Sequence, residues 1–148
     1  MMSLTQMLAA GAVAGALFAV LAVLAPRLTR RILFLSLVYT SVMYIAFAAF
    51  SENAAQWIAI EIAGLVIYGG IAYRGLNGSV WWLVAGWLAH PLWDTALHIA
   101  GPGRAFAPSL YAIPCITFDI AVAAILAAVL SFSIFRRPLG PIPHFVLH

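Results

Sequence analysis

The residues able to do chemistry are few in this sequence, and their spacing is regular. His90, Asp94 and His98 recur at every fourth position, as do Tyr111, Cys115 and Asp119, while Glu61 and Tyr68 stand seven apart. On an α-helix, four residues turn about 40° beyond one revolution and climb about 6 Å, so each set forms a slowly drifting stripe on one face. Histidine, aspartate, glutamate and cysteine are ordinary ligands of zinc and other transition metals. Two ligands four residues apart can share one ion, whereas His90 and His98, about 12 Å apart along the axis, cannot readily do so. The spacing points to Asp94 with His90 or His98, completed by Glu61, Asp119 or Cys115. A divalent transition metal held there with an open position would activate water for hydrolysis if zinc, or bind oxygen if iron. Glu61, Asp94 and Asp119 are the candidate catalytic carboxylates. Two other uses fit the same groups. Chains of Asp, Glu and His inside membrane spans mark proton relays, and histidine titrates near neutral pH. A buried carboxylate–histidine pair can also simply hold helices together.

The elements that must position these groups follow from composition. Of 148 residues, 66% are hydrophobic and 7% charged. A soluble domain carries about 25% charged residues, and disorder requires low hydrophobicity; both are excluded. An apolar run of about 20 residues crosses a bilayer. Five runs fit, at about 7–24, 32–50, 54–73, 80–100 and 109–135, with an irregular, proline-bearing tail at 139–148. The expected fold is all-α, a single transmembrane helical domain over 1–148 with no room for a second, soluble domain. Met1 to Gln6 carry no basic residue, so the first run reads as a retained span rather than a secretory signal. Cys115 is the single cysteine, which excludes an internal disulfide.

All seven basic residues are arginine. Arg27, Arg30, Arg31, Arg74, Arg136 and Arg137 fall on one side of a five-span chain, and Arg104 alone falls on the other. The positive-inside rule then places the N-terminus outside and the C-terminus in the cytoplasm. The arginines form no patch with interleaved aromatics, so nucleic acid is not an expected partner. An arginine-only, alanine-rich chain suggests a GC-rich bacterial genome, and hence the bacterial plasma membrane. Three of the four acids, Glu61, Asp94 and Asp119, lie inside spans, as do His90 and His98. Ionisable groups there cost about 2.5–3.5 kcal/mol each on insertion scales and usually face the bundle interior.

Depth links them. Counted from the outer ends at about 1.5 Å per residue, Glu61, Asp94 and Cys115 lie about 9–10 Å deep, and His90 and Asp119 about 15 Å deep. His98 and Tyr111 fall near the outer surface. One polar site is expected in the outer half of the membrane, shared by the third, fourth and fifth spans. Pro91 would kink the fourth span beside His90 by removing the bond to the Trp87 carbonyl. Trp87, Tyr68 and Tyr111 are the expected lining of a pocket for a small apolar ligand or a lipid. Trp93, about 100° around the helix from Asp94, is not required to face the site. Trp81 and Trp82 read as interfacial anchors. Ser41 is the one mid-span hydroxyl with an inward face. His144 and His148 read as solvated tail residues. Gly11-x-x-x-Gly15 permits close helix approach.

Ala72-Tyr73-Arg74-Gly75-Leu76, Gly86-Trp87-x-x-His90-x-x-Trp93-Asp94-x-x-x-His98 and Cys115-x-x-x-Asp119 together resemble a small bacterial membrane-protein family catalogued only as domain of unknown function 6010. The resemblance covers the second half of the chain. It implies a membrane location and marks His90, Asp94, His98, Cys115 and Asp119 as the family's pattern, without an activity to carry over. The family often has a second histidine and a second cysteine where this chain has Leu97 and Phe118, which disfavours a two-cysteine ligand set or a redox pair. The expectation is a metal-dependent membrane enzyme acting on a lipid-soluble or small substrate. The alternatives are a proton-coupled transporter or channel subunit, for which a homo-oligomer would supply further helices, and a binding or scaffold protein in the bilayer.

Overall fold

The computed structural model describes residues 2–135. The expected tail, with Arg136, Arg137, His144 and His148, lies outside the described residues. Those described form five α-helices, α1 (Leu4–Leu24), α2 (Thr29–Ala48), α3 (Ala54–Asn77), α4 (Trp81–Trp93) and α5 (Ser109–Phe135), with no strand among them. A π-helical segment (Asp94–Ile99) continues α4, and a 3-10 turn (Pro102–Ala105) precedes α5. Four helices, α1, α2, α3 and α5, are long and apolar enough to cross a membrane.

The fourth apolar run corrects the expectation of one uniform span over 80–100. Pro91 has no N–H to give to the Trp87 carbonyl, and the chain rewinds just beyond it. The N–H of Asp94 is shared between the carbonyls of His90 and Pro91. Ala100 N then reaches back five residues to Thr95 O at 2.9 Å. Such wider turns occur mostly as single insertions in α-helices, often at functional sites.

Several boundaries also move, each for a local reason. Helix α1 starts three residues earlier than the expected span because Ser3 and Gln6 form a capping box. Gln6 N donates to Ser3 Oγ at 3.2 Å, and Ser3 N donates to Gln6 Oε1 at 2.8 Å, satisfying two donors that a helix start leaves free. Thr29 Oγ1 donates to the carbonyls of Ala22 and Ala25, so α2 begins at once and Arg30 and Arg31 ride on its first turn. Helix α3 runs through Arg74-Gly75-Leu76, which composition suggests is a turn. Gly75 is a crossing point instead: a Cβ there would collide with Leu83 of α4.

Helix α1 packs along α5, α2 along α3, and α4 lies between α3 and α5 with α2 behind it. The Gly11-x-x-x-Gly15 face meets the α5 backbone directly, because a Cβ on Gly11 would strike the Pro114 carbonyl and one on Gly15 the Phe118 carbonyl. Backbone approach of this kind is how small residues hold membrane helices together. Thr117 Oγ1 adds a bond to Leu8 O at 2.6 Å. The apolar core runs through Leu33, Leu37, Leu83, Trp87, Val122 and Leu126. Leu17, Leu21, Leu24, Val66, Leu92 and Phe132 point outward. Arg30 Nη1 donates to Gly78 O at 2.7 Å, which brings the first and third connections together at one end of the bundle. Arg74 caps the same end, 5.4 Å above the Trp82 ring.

Replacing Gly15 by leucine should force α1 off α5 and cost about 1–3 kcal/mol, as overpacking does. A lower thermal midpoint in detergent is the expected readout. Gly69→Leu, at a position with nothing within 4 Å, should leave that midpoint unchanged.

Candidate functional site

Five ionisable side chains converge at the middle of the bundle: Glu61 from α3, His90 from α4, Asp94 and His98 from the π segment, and Asp119 from α5. Their exposures are 2%, 1%, 0%, 2% and 0% in that order. His90 Nδ1 meets Asp119 Oδ2 at 2.9 Å, with the N–H donating to the carboxylate. It also lies 3.6 Å from Asp94 Oδ2. Ligand atoms of His90, Asp94 and Asp119 all fall within 4.8 Å of one another. One helical turn further along, His98 Nε2 lies 3.6 Å from Glu61 Oε1. Sequence spacing places these groups on facing helices, and the structure brings all five together. His90 and His98 turn to different carboxylates, in keeping with their separation along the axis.

The π segment has a direct effect on this layout. From His90 to Asp94 the stripe drifts with the α-helical excess over one turn. A π turn holds more residues than an α turn, so the step from Asp94 to His98 swings back and keeps His98 facing α3. His98 is also more enclosed than its expected place near the outer surface implies. The 3-10 turn folds over it, with Gly103 so close that a Cβ would sit 2.9 Å from His98 Nδ1. Phe106 packs edge-on at 5.8 Å.

Most of these polar atoms have no hydrogen-bond partner among the described residues. Glu61 Oε1, both oxygens of Asp94, both ring nitrogens of His98 and Asp119 Oδ1 are buried and unpaired. Native proteins pair the large majority of such atoms, and each one left bare costs about 1–3 kcal/mol, more when charged. A cluster of them is exceptional. The 3.6 Å separations are informative too. They are long for a hydrogen bond, but two ligands on one tetrahedral ion with bonds of about 2.1 Å stand about 3.4 Å apart.

The surroundings hold residues that spacing alone misses. Tyr44 of α2 is fully buried and stacks on His98, with centroids 3.9 Å apart and planes 6° from parallel. Its hydroxyl interacts with the Asp94 carboxylate. Trp93, not required to face the site, turns toward it and donates Nε1–H to Glu61 Oε2 at 3.4 Å. Gly64 makes room, since a Cβ there would come within 2.8 Å of the Trp93 ring. The glycines at 64 and 103 are the signal that could have found these contacts, one beside Glu61 on α3 and one in the loop over His98. Tyr68 packs edge-on against His90 at 5.0 Å and donates its O–H to Ala89 O at 3.3 Å.

Other expected residues lie elsewhere. Trp87 is sealed in the apolar core against Phe18 and Phe118. Cys115 lines a groove between α1 and α5, with Gly11, Ala14 and Pro114, outside the group of three ligand atoms around His90. Tyr111 edges that groove and packs on Tyr44 at 5.5 Å. Ser41 is buried with its hydroxyl on Leu37 O at 3.2 Å.

Two spaces adjoin the cluster. A tight cleft, too narrow to admit a water molecule, is lined by Ser41, Tyr44, Glu61, Tyr68, His90 and Trp93, among others. A wider cavity of about 500 Å³ opens at the end away from Arg30 and Arg74, lined by residues of the α2–α3 connection, Trp57 and Phe106. Phe106 packs against Trp57 at 5.0 Å as well as against His98, so it stands between this cavity and the buried groups.

These features define a helical, apolar, membrane-like bundle with a buried histidine–carboxylate cluster. The chain belongs to the DUF6010 family, described as a family of unknown function, which matches residues 6–131. The match reaches well beyond the second half of the chain, where the resemblance lies. No curated protein and no solved structure matches the chain.

Trp93→Phe should bare a further oxygen of Glu61 and lower stability by about 1–3 kcal/mol, the penalty of an unsatisfied buried acceptor. Urea or thermal unfolding of chelator-treated protein in detergent measures it. Trp81→Phe, at the exposed end of α4, should change stability by less than about 0.5 kcal/mol.

Proposed function

We propose that this chain is a metal-dependent membrane enzyme, with a divalent transition metal bound by His90, Asp94 and Asp119 and a small substrate. The observation that carries this reading is the set of buried, unpaired ligand atoms around His90, spaced as ligands of one ion are spaced. The His90–Asp119 contact is that of a shared proton, which a metal would displace. Metal binding generally releases protons from its ligands in this way. One nitrogen and two carboxylate oxygens suit zinc, manganese or iron. Three protein ligands leave a further position for water or substrate, the arrangement of catalytic rather than structural sites. A metal in such a position supplies an activated water or polarises a bound oxygen.

The chain's own residues would do the rest. Asp94 and Asp119 hold charge at the centre of an apolar bundle. Trp93 and Tyr68 fix the groups beside His90, and the bundle excludes bulk water. The wide cavity lies at one end of the bundle, and passage from it to the buried groups would require Phe106 to move. The cleft next to Glu61 and His90 is too narrow to admit even a water molecule, so a substrate could reach the buried groups only if side chains around them moved. In the membrane, the reading is one bundle of five spans, α4 and the π segment together making the fourth. The arginine-bearing connections face the cytoplasm, so the N-terminus and the wide cavity face outside, in a bacterial plasma membrane.

Untagged protein purified in detergent should carry at least one equivalent of transition metal by elemental analysis. Asp119→Ala should reduce it at least tenfold, while Gly69→Ala should not. Wild-type protein without metal that gives pH-dependent uptake or current in liposomes would instead favour a proton-coupled transporter. Neither metal nor transport would leave a binding or scaffold role.

A further inference from the structure

We propose that the cluster is a two-metal centre, with Asp94 bridging one ion held by His90 and Asp119 to a second held by His98 and Glu61. The inference rests on the metal reading above and extends it. A single ion at His90 leaves Glu61 Oε1 and both nitrogens of His98 buried without partners. These are the atoms of a second pair, and its 3.6 Å separation repeats that between His90 and Asp94. Both pairs therefore have the spacing of adjacent ligands on one ion, which is about 3.4 Å for bonds of about 2.1 Å.

Asp94 stands between the two pairs along the chain; one of its oxygens forms a close group of ligand atoms with His90 and Asp119, and serving the second ion requires its side chain to turn toward His98. It lies four residues after His90 and four before His98, and is close enough to each to interact with it electrostatically. Its exposure is 0%, and its polar neighbours are His90, 3.6 Å from Oδ2, and the Tyr44 hydroxyl. A carboxylate with two free oxygens can place one on each ion, and paired catalytic ions typically stand about 3.5–4 Å apart. The second pair also has the outer supports that metal ligands need. Trp93 donates to Glu61 Oε2, which leaves Oε1 turned toward His98. Tyr44 stacks on the His98 ring and fixes its plane. The π segment that turns His98 back toward Glu61 then has a purpose that a one-ion site would not require.

The test uses full-length, untagged protein in detergent, stripped by chelator and reloaded with Mn²⁺ or, separately, Zn²⁺. Elemental analysis should find two ions per chain in the wild type. His98→Ala and Glu61→Gln should each retain one, and Asp94→Asn should lose both. The Mn²⁺-loaded wild type should give the multiline, exchange-coupled electron paramagnetic resonance spectrum of a close pair. That spectrum tests the proposal even if the variants fail to fold. One ion per chain, with an isolated-Mn²⁺ spectrum and no change in Glu61→Gln, would overturn the second site while leaving the first intact. No bound ion of either kind would overturn both.

Discussion

The structure depends on one constraint: three carboxylates and two histidines lie where no bulk water reaches them. In such surroundings a charged group must find a partner inside the protein or lose its charge, because its desolvation is worth several kcal/mol. The bundle meets this by converging the groups from three directions. Asp119 comes from α5, Glu61 from α3, and the histidines with Asp94 come from the helix between them. The contact of His90 with Asp119 at 2.9 Å is the shortest link, and it ties α4 to α5. The contact of Glu61 with His98 ties the π segment to α3. The cluster therefore fixes the relative positions of three helices as well as forming the site.

Close helix approach makes that convergence geometrically feasible. Glycines stand where backbones or rings must meet: Gly11 and Gly15 against α5, Gly75 against Leu83, Gly64 against Trp93 and Gly103 against His98. Without a hydrophobic driving force between helices in lipid, contacts of this kind and interhelical hydrogen bonds carry the packing. The π segment is the complementary device. A regular helix would let the stripe of His90, Asp94 and His98 drift around its axis, and the wider turn after Pro91 reverses the drift. A proline kink and a π turn are both departures from ideal helix, and here both fall at the converging ionisable groups.

Membership in a family of unknown function leaves the argument for activity to the site itself, which is where such an argument belongs. The chemistry there is rich in oxygen ligands, with two nitrogens and no sulfur among the converging groups. Cys115 lines the α1–α5 groove and is close enough to Asp119 and Asp94 to interact with both electrostatically. Gly11 of α1 and Pro114 of α5 line the same groove.

The sequence by itself determined the class of the molecule and which ionisable groups lie inside its helices. Scarce charge on an apolar background means membrane-like helices. Acids placed inside those helices mean a buried polar cluster, because lipid tolerates ionisable groups only on the inside of a bundle. Spacing in fours named His90, Asp94, His98 and Asp119, with Cys115 and Tyr111 beside them, and position inside a span named Glu61. What only the tertiary structure decided is which carboxylate each histidine takes, and which aromatic residues join them. Trp93 reaches Glu61 and Tyr44 reaches His98, while Trp87, three residues from His90, is lost to the apolar core. Helical periodicity assigns a residue to a face, but it assumes one constant turn. Once Pro91 breaks that turn and a glycine lets a ring cross a neighbouring backbone, the partner of each side chain is set by the rotation and close approach of whole helices, which no local pattern encodes.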